Sequence, residues 1–276
     1  MAVHRSLAGK VLIMSGGSRG IGLAIALRAA KDGASVALIA KTAEPHPRLE
    51  GTVYTAAEAI EAAGGRALPI AGDVRDDDTV LAAVEQAVAT FGGLDICVNN
   101  ASAIDLSDVE NISMKRYDLM QDINTRGTFL LSKACIPHLK RAANPHVLTL
   151  SPPLNLNPKW FAASLGYTIA KYGMSMCTLG LAEEYRTGGI AFNSLWPRTT
   201  IATAAVQNLL GGDQAMRRAR DPRIMADAAH AVLTRPSREC SGNFFIDDEV
   251  LAEEGITDLS GYGGEQDELQ KDIFLD

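Results

Sequence analysis

The sequence predicts one α/β domain, a doubly wound sheet of about seven parallel strands with helices on both faces. Three observations lead to this fold class. Seven short runs are apolar along their length, as strands of a parallel sheet that is covered on both faces must be. Longer Ala-rich stretches of helical character lie between them. The 276 residues contain no internal repeat, low-complexity linker or break in composition that would mark a second domain.

Strands and helices alternate along the chain as a doubly wound sheet requires. Each predicted strand is a short run of β-branched or other apolar residues, whereas the helix that begins at Asp76 opens with three aspartates, which suit the positive end of a helix dipole. The predicted strands are Val11–Ser15, Ser35–Ala40, Ala67–Ala71, Asp95–Asn99, His146–Leu150, Ala191–Trp196 and Asn243–Ile246. The predicted helices are Gly20–Asp32, Thr52–Gly64, Asp76–Phe91, Tyr117–Arg141 and Tyr167–Tyr185, with further helical segments to about Arg235.

Two stretches lack a regular pattern, and both follow strands at the carboxyl edge of the predicted sheet. They are Lys41–Gly51 and Ser151–Gly166, and the second contains three prolines. Loops at the carboxyl ends of strands line the ligand crevice of such a sheet, so we expect both stretches near a ligand site.

The charge distribution excludes one class of partner and marks off a tail. A net charge of −7 leaves no basic surplus for binding nucleic acid. Eleven acidic residues and one base lie between Asp247 and Asp276, so this tail is either a solvated acidic edge or a segment that docks through its apolar residues Ile273, Phe274 and Leu275. We therefore divide the chain into a domain over residues 1–246 and an acidic tail over 247–276, packed on the same domain or on a neighbouring subunit.

The cysteines and the lengths of the apolar runs indicate the cellular compartment of the protein. Cys97, Cys135, Cys177 and Cys240 lack the spacing of a zinc site, so no metal is expected, and widely spaced thiols fit a reducing compartment. The sequence shows neither a signal peptide nor an uninterrupted apolar stretch of membrane-spanning length. We expect a cytoplasmic protein.

A glycine-rich turn joins the first predicted strand to the first helix. Glycines let the backbone approach a pyrophosphate closely, and the start of the helix offers unpaired N–H groups and partial positive charge. No Gly-Lys-Ser/Thr follows, so the pattern favours a dinucleotide over an ATP-type phosphate loop. The turn reads Ser15-Gly16-Gly17-Ser18-Arg19-Gly20-Ile21-Gly22.

Tyr167 and Lys171 lie four residues apart in a predicted helix and therefore share one of its faces. A free phenol has a pKa near about 10, and a nearby cation lowers that value by favouring the phenolate. With this help Tyr167 can donate a proton to a carbonyl oxygen or accept one from an alcohol.

These motifs together resemble the short-chain dehydrogenase/reductase family. The resemblance rests on the Gly-x-x-x-Gly-x-Gly turn, on the Tyr-x-x-x-Lys pair, on Asn99-Asn100-Ala101-Ser102 and on the segment around Asn124. It implies a Rossmann-type fold and an oxidoreductase in which Tyr167 is the general acid or base. Lys171 would hold the nicotinamide ribose and lower the pKa of Tyr167, and Asn124 would support a proton relay.

The sequence departs from the family pattern at four positions. Ser15 replaces the usual threonine, Ser102 replaces a glycine, and Arg198 replaces a glycine in the segment that contacts the carboxamide. The family's catalytic serine slot after the fifth strand holds Pro152, so we take Ser151 as the anchor of the substrate oxygen, with Ser164 as the weaker candidate.

The end of the second strand indicates which nicotinamide cofactor is bound. NAD-selective sites place an acid there, whereas this strand runs into Lys41-Thr42, and Arg19 can approach the same corner. Two cations favour a 2′-phosphate, so NADP(H) is predicted, with NAD(H) as the alternative. The expected cofactor residues are Gly16, Ser18, Arg19, Gly20, Ile21, Gly22, Lys41, Thr42, Asp73, Val74, Asn100, Ala101, Ser102, Tyr167, Lys171, Pro197 and Thr199.

Several longer segments resemble the hydroxysteroid dehydrogenase-like 2 subgroup of that family, among them 41–47, 151–158, 167–176 and the C-terminal end. This resemblance implies a lipid-like or terpenoid carbonyl or alcohol as the small-molecule substrate. An apolar pocket is the usual site for such a ligand. Candidate pocket residues are Trp160, Phe161, Leu165, Ile201, Leu209 and Leu210, and core packing is the alternative for each of them.

The predicted function is therefore hydride transfer between NADP(H) and an apolar carbonyl or alcohol. A sensor that binds NADP(H) without turnover, or an isomerase that oxidises its substrate transiently, stays open as an alternative. The family resemblance also implies a homodimer or homotetramer that assembles through the helices near Tyr117–Arg141 and Tyr167–Tyr185.

Overall fold

The computed structural model describes residues 5–46, 50–209 and 211–276, and seven parallel strands form its sheet. The strand order is β3-β2-β1-β4-β5-β6-β7, which confirms the predicted doubly wound α/β fold. The order reverses between β1 and β4, and the crevice at this switch point is where such folds bind ligands. The strands are β1 (Val11–Ser15), β2 (Ser35–Ala40), β3 (Arg66–Ala71), β4 (Ile96–Asn99), β5 (His146–Thr149), β6 (Ala191–Trp196) and β7 (Phe244–Ile246).

Helices cover both faces of this sheet. The first five α-helices are α1 (Gly20–Lys31), α2 (Val53–Ala62), α3 (Asp77–Phe91), α4 (Met114–Met120) and α5 (Gly127–Leu139). The remainder are α6 (Pro158–Ala163), α7 (Leu165–Glu184), α8 (Ala204–Leu209), α9 (Gly212–Arg217), α10 (Arg223–Leu233) and α11 (Asp247–Glu253). Single 3-10 turns lie at Ser237–Glu239, Ser260–Tyr262 and Gln266–Glu268.

The core explains why the strands are apolar along their whole length. Leu12 and Met14 of β1 pack into a cluster with α1 and α10, whereas Ile13 packs into a second cluster with α3 and α5 on the opposite face. Because successive side chains of a strand point to opposite faces, both sets must be apolar.

Strand β3 departs from this pattern. It pairs with β2 alone, its residues are half-buried or exposed, and it contains Pro69. A proline is tolerated at a sheet edge because it has no N–H to donate to a further strand.

Two predicted elements differ in the structure. The single helix predicted over Tyr117–Arg141 is three pieces, in which a π-helix over Gln121–Arg126 separates α4 from α5. The irregular stretch Ser151–Gly166 contains the short helix α6, which begins at Pro158 after an Asn157 cap. Within the described ranges, no helix has both the length and the apolar character needed to cross a bilayer.

Candidate active site

A cavity of about 700 Å³ opens at the carboxyl ends of β1, β2 and β4, at the switch point of the sheet. The turn before α1 forms one side, and the start of α8 forms another. Ala204, Ala205 and Asn208 of α8 line the cavity and were not among the predicted cofactor residues, although they follow β6 closely in sequence. The predicted cofactor residues that line it are Gly16, Ser18, Arg19, Gly20, Ile21, Lys41, Thr42, Asp73, Val74, Asn100, Ala101 and Ser102.

Gly16 and Gly22 of the glycine turn have no room for a side chain. Gly16 has φ +73°, and a Cβ there would lie 2.8 Å from the Ala101 Cα. A Cβ on Gly22 would lie 2.7 Å from the Gly16 carbonyl oxygen, so Gly22 serves close packing and is not among the residues that line the cavity. Asn100 holds the turn, since its Nδ2 donates to the Gly16 carbonyl at 2.8 Å.

The start of α1 is suited to an anion. Arg19 is its N-cap residue and makes no side-chain capping hydrogen bond, so the first N–H groups of the helix are left for a ligand. Because Ser18 and Gly20 line the cavity at this point, the turn fits a pyrophosphate.

Two cations, Lys41 and Arg75, pair with one acid, Asp73, at the end of β2. Lys41 Nζ lies 3.0 Å from Asp73 Oδ2, and Arg75 also pairs with Asp73 at 2.6 Å. Arg75 and then Lys41 hold the pKa of Asp73 well below its usual range, against the effect of burial. Arg19 donates through Nη2 to the Gly51 carbonyl at 2.7 Å. The corner therefore presents Lys41 and Arg19 to the cavity, with Lys41 partly neutralised.

Tyr167 and Lys171 lie one turn apart on α7, and both side chains are buried. Lys171 Nζ donates to the Leu150 carbonyl at 2.6 Å and lies 5.0 Å from the centre of the Trp196 ring. Burial lowers the pKa of Lys171 to about 7, and the charge of Asp272 opposes part of that shift.

Burial acts in the opposite sense on Tyr167. It raises the pKa of the phenol, the Asp272 charge adds to the rise, and a polar contact with Ser102 opposes it. The pKa of Tyr167 is therefore raised in the structure, opposite to the predicted lowering, because desolvation is the largest effect. The contact with Ser102 places the Tyr167 hydroxyl next to a residue that lines the cavity.

Asn124 lies in the π-helix and is fully buried. Its Oδ1 accepts from the Ala103 N–H at 2.8 Å, and its Nδ2 donates to the Ala103 carbonyl at 3.0 Å. The side chain thus fixes the segment after β4, next to Ser102. Its predicted part in a proton relay stays a prediction.

Ser151 is directed into the core. Its Oγ lies 2.9 Å from Ser194 Oγ, which donates to Thr178 Oγ1 at 2.9 Å. Anchoring a substrate oxygen would require this hydroxyl to leave Ser194, and the role of Ser151 stays a prediction. Ser164, the second candidate, precedes α7 and accepts from Thr168 through its carbonyl.

The segment after β6 contains orphaned polar atoms. The hydroxyls of Thr199 and Thr200 are buried and have no hydrogen-bond partner among the described residues. Arg198 is turned away to Asp248 at 3.0 Å and to Glu249. Free hydroxyls beside Pro197 fit the polar carboxamide of a nicotinamide ring.

The predicted pocket residues fall into different places. Trp160 and Phe161 pack on an aromatic cluster around Tyr167. Ile201 instead belongs to the core beneath α10, which is the alternative of core packing. Leu210 and the side chain of Leu209 lie outside the described residues.

Comparisons with known proteins agree with this geometry. A family model described as short chain dehydrogenase matches residues 10–212. Hydroxysteroid dehydrogenase-like protein 2 of Xenopus tropicalis is 59% identical over 98% of this chain, which spans 64% of that relative. The chain thus spans less than two thirds of the length of such curated relatives.

Two solved structures match over nearly their whole length. A putative dehydrogenase from Xanthomonas campestris has a TM-score of 0.95 at 57% identity and covers 98% of this chain and 99% of its own. A short chain dehydrogenase from Mycobacterium thermoresistibile has a TM-score of 0.93 at 60% identity, with 98% and 96% covered.

Proposed function

Since the chain belongs to the short-chain dehydrogenase family, whose members are oxidoreductases that bind a nicotinamide cofactor, we propose that it is an NADP(H)-dependent enzyme acting on an apolar carbonyl compound or the corresponding alcohol. One observation carries the proposal. Ser102 lines the cavity at the switch point and also contacts the Tyr167 hydroxyl, so the acid–base pair lies at the end of the cofactor cleft.

Different residues of the cleft would bind different parts of the cofactor. The first N–H groups of α1 would hold the pyrophosphate, Asp73 and Val74 the adenine, and Thr199 the carboxamide. Lys41 and Arg19 would hold a 2′-phosphate. When bound, the nicotinamide supplies or accepts the hydride of the reaction.

Tyr167 moves the proton. In the direction of reduction, its hydroxyl donates to the carbonyl oxygen as negative charge develops there. A protonated Lys171 stabilises the phenolate that remains, and a lysine with a pKa of about 7 takes and gives a proton easily near neutral pH. Low exposure of Tyr167, 5%, keeps water from competing with the substrate for this proton.

Charge at the end of β2 predicts the cofactor preference. Replacing Lys41 by alanine removes one of the two cations, Lys41 and Arg19, that line the cavity at this corner. Replacing Asp73 by asparagine frees Lys41 from its partner. We expect Lys41→Ala to raise the KM for NADPH about tenfold, since one charge-assisted contact is lost, with the KM for NADH changed less than about twofold. Asp73→Asn, the matched control, is expected to keep the preference for NADPH. Steady-state kinetics with both cofactors checks this, and equal effects on both would remove Lys41 from phosphate recognition.

Burial of Tyr167 favours a second candidate function, a sensor that binds NADP(H) without turnover. In this arrangement Phe274 lies over the Tyr167 ring and Ser151 is held by Ser194. A cofactor that binds tightly and is never consumed would support the sensor. Turnover that requires Tyr167 would exclude it.

We also propose assembly through α5 and α7. Phe129 of α5 and Ile169, Met176 and Leu179 of α7 are large apolar side chains that are exposed in the single chain. Two helices with such side chains suit the self-complementary interface of a homodimer, which can pair again into a homotetramer. We expect Leu179→Asp to reduce the solution mass to that of one chain, measured by light scattering, with exposed Leu81→Asp on α3 as the control. A monomeric wild type would contradict the proposal.

The thiols support a cytoplasmic location as a further proposal. All four cysteines are free, and Cys97 and Cys135 are buried side by side in the core without forming a disulfide. Free buried thiols are typical of reducing compartments.

A further inference from the structure

Two side chains of α7 bind carbonyl groups of the turn that follows β5. Lys171 Nζ donates to the Leu150 carbonyl at 2.6 Å, and Ser175 Oγ donates to the Pro152 carbonyl, also at 2.6 Å. Lys171 and Ser175 lie four residues apart and therefore share one face of the helix. Both side chains are buried, so water does not replace either donor.

A chain of hydroxyl groups holds the residue between these two carbonyls. Ser151 Oγ lies 2.9 Å from Ser194 Oγ of β6, which donates to Thr178 Oγ1 of α7 at 2.9 Å. All three side chains are buried. Thr178 lies seven residues after Lys171, so it belongs to the same face of α7. The turn is thus held by polar contacts to α7 and β6 inside the core.

The sequence of the turn explains why side chains hold it. Pro152 and Pro153 have no N–H, so neither can donate a backbone hydrogen bond that would fix the turn. Ser151 N–H donates to the Thr149 carbonyl at 2.9 Å. The Leu150 and Pro152 carbonyls are left for the side chains of α7, because a buried carbonyl without a partner destabilises the fold.

The position of the Leu150 carbonyl matters to Lys171. Among the described residues, this carbonyl is the one oxygen that accepts from Lys171 Nζ. Its other neighbours are Met174 Sδ at 3.4 Å, a weak acceptor, and the Trp196 ring at 5.0 Å. An acceptor favours the protonated lysine, whereas burial disfavours it and lowers the pKa to about 7. A shift of this carbonyl would therefore weaken the ammonium further.

Three titratable groups act on Lys171 or on one another in this part of the site. Tyr167 lies on the same helix as Lys171. The charge of Asp272, which follows α11 in sequence, favours the protonated lysine and raises the pKa of Tyr167. The charge of Asp247, at the start of α11, acts in turn on Asp272. Neither aspartate hydrogen-bonds Lys171, so the turn alone supplies its oxygen acceptor in the described chain.

We propose that Ser175 and Ser194 are positioning residues that hold the Leu150 carbonyl against Lys171 and thereby keep the ammonium beside Tyr167. The inference rests on the proposed function, in which protonated Lys171 stabilises the Tyr167 phenolate. Its physical basis is that a buried polar network fixes one geometry when every member has a partner.

The test measures the titration of Lys171 itself, by NMR of the full chain labelled with ¹³C-lysine. The signal of Lys171 is the one that is missing in Lys171→Met. We expect Ser175→Ala to move the midpoint of this titration to lower pH by at least about 0.5, because the ammonium loses part of its acceptor. Ser194→Ala is expected to act in the same direction, whereas Ser175→Thr keeps the hydroxyl and should titrate as the wild type does.

Ser237→Ala is the matched control. The buried Ser237 Oγ donates to the Gly189 carbonyl at 2.8 Å, which is the same kind of bond as that of Ser175. Gly189 precedes β6, so this bond lies at the end of the sheet opposite the candidate site. The control should lower the Tm because a buried carbonyl loses its partner, and it should leave the titration of Lys171 unchanged.

The pH dependence of turnover gives a second measurement. Reduction of decanal at saturating NADPH should slow toward high pH as Lys171 loses its proton, and the midpoint of this decline should be lower in Ser175→Ala. The KM for NADPH should stay within about twofold of the wild type, since neither Ser175 nor Ser194 lines the cavity.

Two results would overturn the proposal. An unchanged titration of Lys171 in folded Ser175→Ala and Ser194→Ala would show that these serines stabilise the turn without positioning the lysine. An equal shift in Ser237→Ala would show that loss of any buried hydrogen bond has this effect. A wild type that binds NADPH without reducing a carbonyl would contradict the proposed function, whereas the NMR titration decides the positioning role separately.

Discussion

Replacing Tyr167 by phenylalanine is expected to lower kcat by about 10²–10⁴-fold, the usual contribution of a positioned general acid or base. The change removes the hydroxyl that contacts Ser102 at the end of the cavity and keeps the ring that packs on Phe274. The fold and the glycine turn are therefore unaffected. We expect the Kd for NADPH to stay within about threefold of the wild type, since Tyr167 does not line the cavity.

Stopped-flow turnover and NADPH fluorescence titration measure the two quantities on the same preparation. Ser151→Ala provides the comparison, because it removes a hydroxyl that hydrogen-bonds Ser194 inside the core. A large loss in both variants would support the predicted anchoring role of Ser151. A loss of less than about tenfold in Tyr167→Phe would remove the phenol from the chemistry.

Replacing Lys171 by methionine is expected to cause the second large loss of activity. The change removes the only charge on α7 within a turn of Tyr167 in the described chain, and Met has a similar length and fits an apolar site. Without the ammonium, no neighbouring cation stabilises the phenolate. We expect kcat to fall by about 10²–10³-fold and the remaining activity to require higher pH.

The same variant is expected to change how the stability of the folded chain depends on pH. Burial lowers the pKa of Lys171 to about 7 in the folded chain, whereas the unfolded value is about 10.4. Between these values Lys171 is neutral in the folded chain and protonated in the unfolded chain. The unfolded chain therefore binds more protons, and the stability of the wild type rises with pH as that protonation becomes less favourable. The methionine variant lacks this rise.

Chemical unfolding from about pH 8 to about pH 10 is the measurement. The lower limit lies above the titration of Asp272, whose pKa burial raises to about 7. The stability of Lys171→Met relative to the wild type should be greatest at the lower pH and decline toward the higher one. A difference independent of pH would show that the pKa of Lys171 is not lowered in the folded chain. Full activity of the variant would contradict its role toward Tyr167.

The fold could be predicted from the sequence because it depends on local patterns of apolar residues and glycines. Strand β1 needs apolar residues on both faces, and the turn after it needs glycine where φ is positive and where a Cβ would meet Ala101. The four-residue spacing of Tyr167 and Lys171 predicted that they share one face of a helix, and the structure places both on α7. Such features depend on neighbours in sequence.

The remainder depends on contacts between distant segments. The π-helix around Asn124 arises where its side chain pairs with Ala103, and helical periodicity alone predicts a continuous α-helix there. The acidic tail indicated docking through Phe274 but not its position over Tyr167, about a hundred residues earlier in the chain. Burial, which decides the pKa values of Tyr167 and Lys171, likewise follows from the assembled fold.

Transfer of deuterium tests most directly whether the chain moves hydride from NADPH to the carbonyl carbon of an apolar compound with a proton from Tyr167. NADPH deuterated at its reactive ring carbon is incubated with the chain and decanal, and the products are analysed by mass spectrometry. We expect decanol with deuterium on the carbinol carbon for the wild type and none above background for Tyr167→Phe. Bound NADPH with no deuterium in an alcohol from decanal, or from terpenoid, aromatic and steroid carbonyls, would contradict the account and favour the sensor.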